Sequence, residues 1–140
     1  MLLVAATVIA ASLGLIQAAV ARQERLLAPS EALALADAAY TKRVHSLPGF
    51  SIEVDRETAH FYFFYATWNN PQPGSMMAGF VAVDKATADV WDPVMACQEI
   101  KSATLSQRQR ATRASMGLSA TAYKKLRRTC PLEMNESQGT

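Results

Sequence analysis

The side chains that could carry chemistry in this 140-residue chain are few and scattered. The thiols are Cys97 and Cys130, and the imidazoles are His45 and His60. A set of Cys97, His60 and an aspartate can be drawn as nucleophile, base and orienting acid. No basic residue stands beside Cys97 in sequence to hold a thiolate, however. No H-x-x-x-H, H-E-x-x-H or C-x-x-C spacing occurs, so no metal is expected. There is no phosphate-binding loop, dinucleotide fingerprint or nucleophile elbow, so no cofactor is expected either. The acid pairs Asp89 with Asp92, and Asp55 with Glu57, fall at strand ends, where carboxylates are commonly solvated. The inventory favours binding over catalysis.

Charge placement says more. Between Lys101 and Arg128 stand Lys101, Arg108, Arg110, Arg113, Lys124, Lys125, Arg127 and Arg128 with no acid, a charge of +8. Residues 22–100 hold six basic and ten acidic residues, and Glu133 and Glu136 follow, so the chain nets +2. Such a stretch either balances the acidic half of its own molecule or meets an acidic partner. Leu105 to Leu126 also has the outline of a helix-turn-helix, with Gly117 in the turn. Arg113 would occupy its small inward position, and no nucleic-acid partner is expected. A second candidate contact is Trp68-Asn69-Asn70-Pro71-Gln72-Pro73-Gly74-Ser75, an aromatic residue at the edge of a turn-rich loop. The expected partner-binding residues are therefore Trp68, Asn69, Asn70, Pro71 and Pro73, with Arg108, Arg110, Arg113, Lys124 and Arg127.

These residues need a scaffold. Ser30 reads as an N-cap with Glu31 in the first turn, and Ala32, Leu35, Ala36, Ala39 and Tyr40 recur at helical spacing up to Pro48-Gly49. Phe50, Ile52 and Val54 alternate with polar residues as a strand with one buried face, turning at 55–58. The run from His60 to Trp68 is aromatic on both faces, which requires cover on both. Met76 to Val83 and Asp89 to Trp91 complete four strands in an antiparallel meander. Two helices follow, about 105–116 and 120–129, broken at Gly117 with Ser119 as the second N-cap. They are expected to cover the sheet face that the first helix leaves open.

Residues 1–21 carry no charged side chain and end in Ala19-Val20-Ala21, which fits an export signal cut after Ala21. They are also long enough for a membrane anchor, and the first basic residues, Arg22 and Arg25, follow the apolar run. The expected organisation is a signal peptide over 1–21, one α+β domain over 22–130 and a disordered tail over 131–140. Membrane association is expected only if 1–21 is retained. An exported chain would close a Cys97–Cys130 disulfide.

The helix residues Ser30-Glu31-Ala32, Ala36 and Ala39, with Val81-Ala82-Val83-Asp84-Lys85-Ala86-Thr87-Ala88-Asp89-Val90 in the last hairpin, resemble small exported α+β domains. These are domains of the PepSY and cystatin-like kind, immunity proteins among them. The hairpin is similar to their V-x-x-D-x-x-T-G-x-V pattern, with Ala88 in place of glycine. The resemblance implies one helix on an antiparallel meander, no catalytic residue, and a role in binding or inhibiting a partner protein. The whole reading is a periplasmic or secreted, non-catalytic protein that binds or inhibits a partner, such as an immunity protein against a cell-wall-active toxin, with a partner acidic at the contact. Its alternatives are an envelope hydrolase using Cys97 and an inward-facing, membrane-anchored DNA-binding protein.

Overall fold

Pro29 decides where the first helix begins. The computed structural model describes residues 25–129. A residue before proline is driven out of the helical region, and Ala28 is extended at φ −77°, ψ 152°. Proline is itself preset for the first helical position, so α1 spans Pro29–Ala39 with Ala28, not Ser30, as its N-cap. Glu31 Oε2 accepts from the Ala28 N–H at 3.0 Å, the half of a capping box that an alanine cap permits.

The helix expected to reach Pro48 stops instead at Tyr40, whose ψ of 144° is extended. Its ring packs edge-on to Phe50, with centroids 5.6 Å apart. Thr41 then caps a short second helix, α2 (Lys42–His45), accepting from the Val44 N–H.

The sheet has five antiparallel strands in chain order: β1 (Ser51–Glu57), β2 (Phe61–Thr67), β3 (Met77–Asp84), β4 (Val90–Asp92) and β5 (Gln98–Glu99). The two-residue β5 adds a strand to the expected meander. β1 also runs through the segment expected to turn. A bulge at Asp55 shifts its register, so that Val54 opposes Phe64 and Arg56 opposes Phe63. The extra residue moves Arg56 to the opposite face, where its guanidinium lies 4.3 Å from the Phe63 ring centroid. Val54, expected inside, is 57 % exposed.

Two helices complete the chain: α3 (Ala103–Met116) and α4 (Ala120–Leu126). Ser102 and Ser119 cap them, accepting from the Leu105 and Ala122 N–H groups. Gly117 ends α3 at φ 75°, the left-handed conformation that glycine adopts without a Cβ clash.

β2 is buried on both faces, as its sequence requires. Tyr62 and Phe64 join Val81, Val83 and Val90 in the main core, together with Leu35 and Ala36 of α1. Leu105 and Met116 of α3 enter this same core. The expectation that the C-terminal pair covers the other face is therefore corrected for α3: its apolar anchors lie on the side already occupied by α1. On the opposite face Phe61, Phe63 and Ala82 form a second cluster, with Trp91 against it.

Candidate functional site

The two ends of the molecule use their charges differently. At the β3–β4 turn, Leu27 ahead of α1 donates its N–H to Lys85 O at 2.8 Å, and the C-terminal half of α3 reaches the same turn. Asp84 Oδ1 accepts from the Ala86 and Thr87 N–H groups at 2.7 and 3.0 Å, closing the turn. Ala88, standing where the resembling hairpins have glycine, takes φ 58°.

Asp89 is 1 % exposed, which corrects its reading as a solvated acid. Its Oδ1 accepts from Arg113 Nη2 at 2.6 Å and from the Tyr123 hydroxyl at 2.9 Å, and its Oδ2 accepts from Thr87 Oγ1 at 2.9 Å. Arg113 Nε also donates to Thr87 O at 2.7 Å, while its guanidinium lies 4.4 Å from the Tyr123 ring centroid. Burial pushes the Asp89 carboxyl above its ordinary range, against the lowering effect of Thr87, Tyr123 and Arg113. Burial, followed by the charge of Asp89, likewise raises Tyr123. Arg128 Nη1 adds contacts of 3.3 and 3.2 Å to Asp84, and Arg127 pairs with Glu99 at 2.8 Å. Lys85, nearly buried, pairs with Glu57. The contacts of Arg113, Tyr123, Arg127 and Arg128 hold α3 and α4 to the sheet, and the Lys85 pair ties β1 to the turn.

Of the eight basic residues between 101 and 128, four are thus engaged: Lys101 with Glu99, Arg113 with Asp89, Arg127 with Glu99 and Arg128 with Asp84. Arg108, Arg110, Lys124 and Lys125 are exposed and make no ion pair among the described residues. Arg108 is set apart from the other three by its surroundings. It borders three hollows beside α1, the largest about 420 Å³ and lined by Leu33, Ala34, Asp37, Phe50 and Ile52 among others. A second, about 270 Å³, opens between the end of α1, α2 and the start of α3. Tyr40 lies at that junction, and burial, with the charge of Asp92 behind it, raises its hydroxyl to about 12.

The Trp68–Ser75 loop stands at this same end. Asn69 donates its N–H to Pro48 O at 2.7 Å, tying the loop to the segment that leads into Phe50. Trp68 is half-buried and donates its N–H to Met76 O at 2.9 Å. Asn70 organises the tip, donating to Ser75 O and accepting from the Gln72 N–H. Pro71 and Pro73 are exposed. The fold therefore brings the loop and Arg108 to one end, while Lys124 lies on α4, fastened near the turn by Tyr123, and Arg127 caps that helix. The Asp84, Thr87 and Asp89 set escaped the sequence reading of the site, although the D-x-x-T-x-D spacing carried its signal.

Cys97 is not free, so it offers no thiol nucleophile. Its expected partner, Cys130, lies outside the described residues, as do the segment 1–21 and the tail 131–140. His45 Nδ1 is 3.7 Å from Asp37 Oδ1. Among the described residues no group of three or more His, Cys, Asp or Glu is placed to hold a metal ion.

This arrangement defines an α+β meander with α1 and α3 packed into one sheet-face core, charge-fastened at one end and open at the other. No family model matches the chain, the PepSY and cystatin-like kinds included. No curated protein matches it either. Among solved structures it is similar to a chain of a type VI secretion system effector–immunity complex from Pseudomonas protegens. The identity is 24 %, the match covers 71 % of this chain and 85 % of that one, and the TM-score is 0.56. The likeness is one of fold.

Proposed function

We propose that the protein is a non-catalytic binder that blocks a partner protein, as an immunity protein blocks its effector, and that it works in the periplasm or outside the cell. The observation that carries this reading is the fold shared with a chain of an effector–immunity complex over most of both lengths. The open end supports it: the exposed loop and Arg108, which makes no ion pair among the described residues, are features a partner can engage, whereas the opposite end is occupied by its own ion pairs. Blocking is steric in this proposal. The Trp68–Ser75 loop enters a concave site on the partner, and the neighbouring basic surface meets acidic residues around it.

The test is capture of the tagged full chain from cross-linked envelope extract, followed by an assay of the captured protein. The expected result is one stoichiometric partner whose toxic activity disappears when the purified chain is added back. A stoichiometric partner that stays fully active with the chain bound would overturn the proposal, as would recovery of no partner.

A further inference from the structure

Among the cations that make no ion pair with a described residue, Arg108 stands out because Leu33, Ala34, Phe50 and Ile52 line a hollow with it and nearby Glu31 is already paired. Glu31 is held by both Arg25 guanidinium nitrogens at 2.7 and 2.6 Å. Asp37 faces His45. Neither makes an ion pair with Arg108, although Glu31 and Asp37 border the same hollows. The largest hollow is walled by Leu33, Ala34, Phe50 and Ile52. Leu33 is 40 % exposed, and Val54, two residues beyond Ile52 on β1, is 57 % exposed. The start of α3, with Ser102 and Thr104, borders the adjoining hollow and adds the positive end of a 14-residue helix. Lys42 lies there too.

An apolar-walled trough edged by an exposed guanidinium that makes no ion pair among the described residues suits one kind of occupant. A carboxylate can accept two parallel N–H bonds from arginine, and apolar side chains on either side of it can cover Leu33, Ile52 and Val54. The geometry points to the groove between α1, β1 and α3 as a docking site for an acidic segment of the partner, a Glu or Asp flanked by aliphatic residues and anchored on Arg108. The inference rests on the partner-binding reading and names the chemistry that the partner presents.

The probe is an acetylated, amidated Leu-Glu-Leu-Glu-Leu peptide, titrated into the full ¹⁵N-labelled chain, with the Gln analogue as control. Shifts are expected to centre on Arg108, Leu33, Ile52 and Val54, with binding weakened about tenfold or more by Arg108→Gln or by the Gln peptide. Replacing Lys124 and Lys125 by Gln should leave binding within about twofold. Equal binding of the Gln peptide, shifts centred elsewhere, or no shifts at millimolar peptide would each overturn the inference. The two proposals fail separately. If Arg108→Gln captures the blocked partner as well as the unaltered chain does, the groove assignment falls and the partner-binding reading stands. If no partner is captured but the Glu peptide binds at Arg108, the blocking reading falls and the groove stands only as a site for acidic peptides.

Discussion

At the scale of single residues, two carboxylates show how environment assigns different work to similar groups. Asp89 is enclosed and accepts three side-chain hydrogen bonds, from Arg113, Tyr123 and Thr87. Asp89→Asn keeps a polar group there but leaves Arg113 without its counter-charge. We expect a loss of about 2–3 kcal/mol in urea unfolding, less than a wholly buried pair because Arg113 retains some access to water. Glu31 sits at the start of α1, and its bonds from Arg25, then from the Ala28 N–H, lower its carboxyl to about 2. The folded state therefore binds fewer protons than the unfolded chain between about pH 2 and 4.5. Its contribution is complete above the upper limit and is lost as pH falls through the lower one. Glu31→Gln should cost about 1 kcal/mol at neutral pH, the discount reflecting the exposed Arg25 partner, and about nothing near pH 2. Urea midpoints of both proteins across that range check the convergence. Sequence reading placed Arg113 with the free basic residues because nothing local reveals a buried acid 24 residues away. A contact between α3 and the β3–β4 turn exists only once both elements have packed.

Among the elements, the hinge between α2 and β1 gives a sharp test of how the loop is held. Gly49 has φ +63°, and a Cβ there would collide with the Asn69 side chain. Gly49→Ala should cost about 1–3 kcal/mol, combining left-handed strain with displacement of Asn69. Adding Asn69→Ala should recover the collision and leave the strain, so a double-mutant cycle should give a coupling of about 0.5–2 kcal/mol. Additive costs would mean that the loop does not rest on Gly49. The elements most legible in the sequence were those announced by local chemistry: the two-faced aromatic strand β2, and the α3–α4 break with Gly117 and Ser119. Less legible were features set by distant packing. The α1–α2 break follows from Tyr40 turning onto Phe50 and Gly79. The Asp55 bulge follows from pairing with β2 and cannot be read from alternation alone. The two residues of β5 are too few for any periodicity. The side of the sheet chosen by α3 was misjudged because both faces of β2 are apolar, and apolarity does not say which helix covers which face.

For the molecule as a whole, the division between a fastened end and an open end frames the export question. The ion pairs at the β3–β4 turn anchor α3 and α4 non-covalently. A Cys97–Cys130 bridge, proposed from the export signal in 1–21, would close a loop of about 33 residues across this same C-terminal region and contribute about 3–4 kcal/mol by restricting the unfolded chain. The oxidised full chain should then show no titratable thiol in denaturant and no fall in urea midpoint on adding a thiol-blocking reagent. The Cys97→Ser, Cys130→Ser double variant should unfold at lower urea, retain its fold because the Asp89 and Asp84 pairs remain, and still bind the Glu peptide at Arg108. Two titratable thiols in the protein purified from the envelope would remove the bridge. An intact mass that begins at Arg22 is expected alongside, since a signal cut after Ala21 delivers the chain to an oxidising compartment. A retained first segment with reduced cysteines would return the protein to the cytoplasmic side, where the exposed Arg110, Lys124 and Lys125 would meet a different set of partners.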